Sequence, residues 1–161
     1  MSNDLAPQSQ WVLLAYRLPR EPSTPRITLW RRLRRLGVLQ LADGLVTLPL
    51  DNRTREQLEW LADEIHEAGG DASIWLAQPA TAAQERALAA RMTTAAAAEY
   101  DAVIETAREA RKKGGGGQRR TLARLRRDLH AIRARDYFPP AQAEEARRAV
   151  EELAAVMEVA S

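Results

Sequence analysis

Cysteine is absent from this chain of 161 residues, which removes disulfides, thiolate metal sites and cysteine redox chemistry in one step. Phenylalanine occurs once and histidine twice, at His66 and His130. Two distant histidines without cysteine make no metal-ligand pattern. Each lies beside an apolar helical stripe and reads as a helix-boundary residue. No apolar run approaches the roughly 20 residues that cross a bilayer. Met1 to Gln10 has neither the basic start nor the apolar stretch of an export signal, so the expected location is the cytoplasm, with no membrane partner. Gly114 to Gly117 lacks a preceding strand and the Gly-Lys-Ser/Thr ending of a phosphate loop. No nucleophile stands with a recognisable base. The expectation is therefore no enzyme, no cofactor and no metal.

What is present is alanine, leucine and arginine. Hydrophobic residues make up 45% of the chain, enough for a core, although much of that fraction is Ala in the second half. Arginine provides 22 of the 24 basic residues. Net charge is only +2, but its distribution is uneven: from Arg108 to Arg135 there are 11 basic residues against Glu109 and Asp128. That local excess is the electrostatic feature to explain.

Thr24 to Pro49 organises the first half. Thr24 and Pro25 suit the start of a helix, as N-cap and first helical residue, and Gly37 suits its end. Within it Ile27, Trp30, Leu33 and Leu36 recur at helical spacing as the packing face, with Arg31, Arg32 and Arg35 opposite and Arg34 at the boundary. Trp11 to Leu18 before it is a nearly continuous apolar run, as in a central strand. After it, Val38 to Leu41 and Leu45 to Leu50 flank Asp43-Gly44 as in a hairpin. Asn52 or Thr54 caps a second helix, with Thr54 and Gln57 at capping-box spacing, and Gly69-Gly70 stops it. Asp71 to Gln78 alternates as a fourth strand. The sum, βαββαβ, predicts an α+β, ferredoxin-like antiparallel sheet with two helices on one face. Trp11, Trp30 and Trp75 fall on core-facing patterns, whereas Trp60 falls off the Leu58, Leu61, Ile65 face and is a candidate contact for other helices or a second subunit.

The second half is helical. Thr81 to Lys113 would extend roughly 50 Å as one helix. A domain of about 80 residues has a radius of gyration near 12 Å, so this helix must project or be covered. The Gly114 to Gly117 break lets a second helix, Gln118 to Asp136, return with Leu122, Leu125, Leu129 and Ile132 on one side. Ala141 to Val159 is the last helix. The expected division is 1–79, the ferredoxin-like core, and 80–161, a helical extension packed with it as one unit.

Trp11-Val12-Leu13-Leu14-Ala15-Tyr16-Arg17-Leu18-Pro19, the Pro-rich bend, Leu29-Trp30-Arg31-Arg32-Leu33, Leu36-Gly37 and the strand ending Leu48-Pro49 together resemble the N-terminal domain of the ChrB family of chromate-resistance regulators. The Trp-Arg-Arg-Leu-Arg-x-Leu-Gly run also resembles, more distantly, the central domain of PaaX-type repressors. The likeness extends through Asp136-Tyr137-Phe138-Pro139. It implies a transcriptional regulator that binds promoter DNA and responds to chromate. The chain ends where the N-terminal domain of the long family members ends, so sensing by a further domain is expected to be missing, as is the separate helix-turn-helix of PaaX-type repressors.

The arginine faces are where such binding would occur. Arg31, Arg32 and Arg35 in the first helix, and Arg119, Arg120, Arg124 and Arg127 in the later one, are candidates for neutralising DNA phosphates; either cluster can equally be a solvated face. Base-stacking aromatics interleaved with these arginines are missing, so binding of single strands by stacking has little support. Chromate is a tetrahedral dianion that a guanidinium meets with two parallel hydrogen bonds. Arg17 at the end of the first strand and Arg26 in the first turn of the first helix stand where the helix N-terminus also favours an anion, and with Arg31 and Arg32 they are the oxyanion candidates. Two alternatives stand beside the regulator: a dimerising interaction module, and, a distant third, a metal-dependent nuclease using Asp43 and Asp71. A homodimer is expected.

Overall fold

The computed structural model describes residues 10–160; the first nine residues, most of the segment judged free of an export signal, lie outside them. The chain runs β1 (Trp11–Arg17), α1 (Thr24–Leu36), β2 (Leu39–Ala42), β3 (Leu45–Pro49), α2 (Asn52–Glu67), β4 (Asp71–Ala77), α3 (Ala82–Lys113), α4 (Gln118–Ala134) and α5 (Gln142–Val159). It divides into two compact units, Met1–Ala89 and Ala90–Ser161.

The first unit is the expected α+β fold. Its sheet has the order β2-β3-β1-β4 with every pair antiparallel, the ferredoxin-like arrangement. β1 is central. Val12 lies in register between Leu48 and Leu76, and Leu14 between Val46 and Ile74. Because successive strand residues face opposite sides, Val12, Leu14, Val46 and Leu48 share one face, and all are fully buried together with Leu33 of α1 and Leu58 of α2. Each such side chain contributes about 1.5–3 kcal/mol of transfer free energy. Tyr16 continues this face at the end of β1, and Gln40 joins it opposite Val46. On the other face Trp11 is buried, and its Nε1–H donates to Glu85 Oε1 at the start of α3 at 3.3 Å.

Several local expectations are corrected. Ser23, not Thr24, occupies the N-cap of α1, and its side chain makes no capping bond; Pro25 does stand in the first turn, and Gly37 ends the helix in the left-handed region at φ 75°. The buried residues of α1 are Leu29 and Leu33, whereas Ile27 is 50% and Trp30 44% exposed. The i, i+4 pair wins because Leu29 and Leu33 point in nearly the same direction, while Ile27 and Trp30 are carried round the helix by its 3.6-residue period. Trp75 is 59% exposed, because the helix-covered face of β4 is taken by Ala72 and Ile74; its Nε1–H donates to Ser73 Oγ. Trp60 is 62% exposed, as its off-face position predicts. Asp51 caps α2: Thr54 N–H donates to Asp51 Oδ1 at 2.7 Å and Asp51 N–H to Thr54 Oγ1 at 2.9 Å, closing a capping box in which Gln57 takes no part.

The second unit is a three-helix core. Tyr100, Val103, Ile104 and Ala107 of α3 meet Leu122, Leu125, Leu129 and Ile132 of α4 and Ala146, Val150 and Leu153 of α5. Gly114 and Gly115, both at positive φ, make the break between α3 and α4. The Tyr100 hydroxyl, in a fully buried side chain, donates to Asp136 Oδ2 at 2.7 Å, and Thr93 Oγ1–H donates to the Phe138 carbonyl at 2.9 Å, tying the segment after α4 to α3. No helix among the described residues is long and apolar enough to cross a membrane.

Two outcomes follow. Asp51→Ala removes the cap of α2 and lowers unfolding stability by about 1 kcal/mol, measured by chemical denaturation. Burial first, then the Asp136 hydrogen bond and charge, hold the Tyr100 phenol above its ordinary value. The folded chain keeps a proton that the unfolded chain releases above about pH 10, so this contribution is complete below that pH and is lost as pH rises towards the raised folded value. Tyr100→Phe makes the alkaline fall in stability between about pH 9.5 and 11 shallower, read from denaturation midpoints against pH.

Candidate anion-binding cleft and arginine face

On the side of α1 away from Leu29 and Leu33, Ser23, Arg26, Ile27, Trp30, Arg31 and Arg34 recur at intervals of three and four residues, a continuous helical stripe. These residues form one wall of a cleft of about 760 Å³ whose other wall is Tyr16, Gln40, Asp43 and Gly44. The hairpin places that second wall. Asp43 and Gly44 make the turn between β2 and β3, with a register shift between Gln40 and Ala42. Gly44 has φ 72°, and its carbonyl accepts the Tyr16 N–H at 2.8 Å. A Cβ at this position would come within 2.5 Å of the Tyr16 carbonyl oxygen. Only glycine allows the turn to close this tightly on β1.

The cleft is cationic. Arg26, Arg31 and Arg34 are exposed and have no ion-pair partner among the described residues, and Asp43 is the one acid lining the cleft. Burial holds the Tyr16 phenol above its ordinary value, Arg26 draws it back and Asp43 pushes it further up. Both charges therefore act on the Tyr16 hydroxyl. Of the oxyanion candidates, Arg26 and Arg31 meet in this cleft. Arg32 lies elsewhere on α1, paired with Glu64 of α2, and Arg17 is exposed at the end of β1, in register with Asp71 of β4. Arg35 is exposed outside the cleft lining. Tyr16, Trp30, Arg34, Gln40 and Asp43 were not picked out together by sequence reasoning. The signal for the helical part was the 23, 26, 27, 30, 31, 34 spacing.

The second cationic surface is on α4. Arg119, Arg120, Arg124, Arg126, Arg127 and Arg133 are all exposed, and none has an ion-pair partner among the described residues. By contrast Arg108 and Arg111 of α3 pair with Glu145 and Glu152 of α5 at 3.0 and 3.2 Å, and Arg135 pairs with Glu99. The ion-paired acids of the second unit thus serve Arg108 and Arg111 of α3, Arg135 just after α4 and, through Glu144 and Glu151, Arg147 of α5. The α4 face is left without ion pairs among the described residues, with Asp128 the one acid within the helix and Glu144 of α5 interacting with Arg133. His66 and His130 are exposed, and the described residues contain no group of three or more side chains able to hold a metal ion.

Comparison with known proteins adds a family. The family model described as Protein ChrB, N-terminal, matches residues 26–113, from the first turn of α1 through the hairpin, α2 and β4 to the end of α3. The chain is 32% identical over 140 residues to Protein ChrB of Cupriavidus metallidurans, an alignment covering 83% of this chain and 42% of that protein. The chain therefore spans less than half the length of that curated relative. No solved structure matches it.

Gly44→Ala tests how the cleft is built. It destabilises the first unit by more than about 1 kcal/mol, whereas Arg34→Ala on the exposed wall stays within about 0.5 kcal/mol; thermal denaturation of the two variants side by side measures the contrast.

Proposed function

The chain belongs to the family of the ChrB N-terminal domain, and on that premise we propose that it is a cytoplasmic chromate-resistance regulator that binds promoter DNA and changes its grip when chromate is present. The observation that carries the DNA part is the α4 face, with six exposed arginines and no ion pair to any of them among the described residues. A phosphate backbone is the partner such a surface fits, since each phosphate neutralised releases condensed counterions. Arg119, Arg120, Arg124 and Arg127 are the contacts, with Arg31 and Arg35 of α1 as a further basic surface. Arg32 joins them only by sharing its charge with Glu64.

Chromate fits the arginine wall of the cleft, which Arg26 and Arg31 both line. A tetrahedral dianion takes paired N–H donors from guanidinium groups, and Arg26 lies in the first turn of α1, where the helix dipole adds to the attraction. Arg17 at the strand end lies outside the cleft lining and is the weaker contact. A second reading, a non-enzymatic module that dimerises or docks on another regulator, is favoured by the exposure of Trp60.

Fluorescence anisotropy with a duplex from the upstream region tests the regulator. Affinity falls with salt, with a log–log slope of about −0.9 per phosphate neutralised, and chromate but not sulfate releases the duplex. Replacing Arg120, Arg124 and Arg127 together by Ala weakens binding and reduces the slope by about one for each phosphate left without its arginine. No binding at low salt, or a triple variant indistinguishable from the parent, overturns the DNA-binding reading; an unchanged complex in chromate overturns the effector.

A further inference from the structure

The cleft beside α1 is too large and too apolar to be accounted for by a bare oxyanion. At about 760 Å³ it lies within the range of small-molecule sites, about 300–1,000 Å³. A tetrahedral dianion held by Arg26 and Arg31 leaves most of it unused, including the indole of Trp30, the side chain of Ile27 and the third guanidinium, Arg34. An indole and an isoleucine half open to water cost free energy unless something covers them, and here both stand on the same wall as three guanidinium groups that have no ion pair among the described residues.

The order of these residues along the helix restricts the ligand. Trp30 is one turn after Arg26 and one turn before Arg34, and Arg31 is its neighbour. A flat aromatic ring lying on the indole would thus have a guanidinium to either side, about 6 Å along the axis in each direction. Opposite, Asp43 offers only acceptor oxygens and Gln40 has an amide able to give and take hydrogen bonds. A carboxylate facing three arginines repels a ligand that is anionic throughout, and suits one that brings hydroxyl or N–H groups to that wall. A planar base, a hydroxylated sugar and a phosphate meet all three demands, by stacking, by hydrogen bonds to the hairpin wall and by charge.

We propose that the cleft between α1 and the β2–β3 hairpin binds a nucleoside phosphate, with the base on Trp30, the phosphate on the flanking arginines and the sugar or base edge towards Asp43 and Gln40. The same chemistry is offered by a free mononucleotide and by an unpaired nucleotide within a strand. Stacking aromatics that the sequence pattern withheld from the arginines are here supplied by moving Trp30 from the core to the cleft. The site is independent of the α4 face, so it survives or fails separately from duplex binding.

Isothermal titration calorimetry on the full chain provides the test, with AMP, adenosine, inorganic phosphate, chromate and a thymidine trinucleotide as probes. AMP or the trinucleotide binds about tenfold or more tightly than adenosine or phosphate. Trp30→Ala weakens the nucleotide about tenfold and leaves chromate unaffected, Trp30→Phe restores most of the loss, and Arg34→Ala weakens AMP but not adenosine. Tighter binding of the trinucleotide than of AMP assigns the site to an unpaired strand, and the reverse order assigns it to a free nucleotide; either supports the proposal. Phosphate or chromate binding as tightly as AMP, a Trp30→Ala variant that binds AMP normally, or no heat from either nucleotide at about millimolar concentration overturns it. Because Trp30 is exposed, its replacement leaves the fold intact, which circular dichroism verifies.

Discussion

Leu29 and Leu33 are the side chains that α1 buries in the first unit, and what the helix can offer elsewhere follows from that pairing. Once those two leucines fix the rotation of the helix about its axis, the 3.6-residue period assigns every other position. Arg32 is carried towards Glu64 of α2 and is neutralised there. Ser23, Arg26, Ile27, Trp30, Arg31 and Arg34 are carried to the opposite side and become a wall. Had the helix settled on Ile27 and Trp30, the larger side chains would be buried, but Arg26 and Arg34 would turn towards apolar strands, and burying uncompensated guanidinium groups costs more than the extra apolar area returns. The leucine pair is the rotation that keeps every arginine of α1 wet or paired.

A wall is not a cleft until something faces it, and the facing side depends on one glycine. β1 is long enough for Tyr16 to extend past the end of its β3 pairing at Ala15, and the hairpin turn reaches it through the Gly44 carbonyl. This hydrogen bond brings Asp43 beside Tyr16 and Arg26, close enough for both charges to act on the phenol. The Asp43-Gly44 pair serves two ends at once. It is turn chemistry, with a left-handed glycine after a residue tolerant of bends, and it sets the single acidic group of an otherwise cationic site.

Much of the fold was legible because it rests on periodicity. The alternation of Asp71 to Ala77, the continuous apolar run of β1, the turn at Asp43-Gly44 and the glycine break at Gly114 to Gly117 gave the element order directly, and that order with the antiparallel rule gave the sheet. Caps were harder, since Ser23, Thr24, Asp51, Asn52 and Thr54 are all competent and backbone geometry chooses among neighbours. The cleft was legible only in part. Arg26 could be named from its place at a helix start and Arg31 from the arginine run of the same helix, but Trp30 reads as core because a tryptophan among leucines at i+3 spacing is a good core pattern. Its true side depends on which of two overlapping stripes docks, and only tertiary packing decides that. Tyr16, Gln40 and Asp43 come from other elements, so no spacing in the chain could have joined them to α1.

The second unit shows the same division of labour through charge. Its core is built from aliphatic side chains and Tyr100 on three helices, and the charged side chains are sorted by which helix faces which. Glu145 and Glu152 of α5 meet Arg108 and Arg111 of α3, and Glu144 and Glu151 meet Arg147 within α5 itself. At exposed positions such pairs contribute little stability, typically below about 1 kcal/mol. Their effect is on the field. These acids are paired between α3 and α5 or within α5, and although Glu144 also interacts with Arg133, six arginines beside Asp128 leave mutual repulsion along α4 while the rest of the unit is near balance. Repulsion of this kind lowers the stability of the free protein, and a phosphate backbone laid along the helix would relieve it. The cost that α4 carries in isolation thus becomes part of the attraction when an anionic partner arrives.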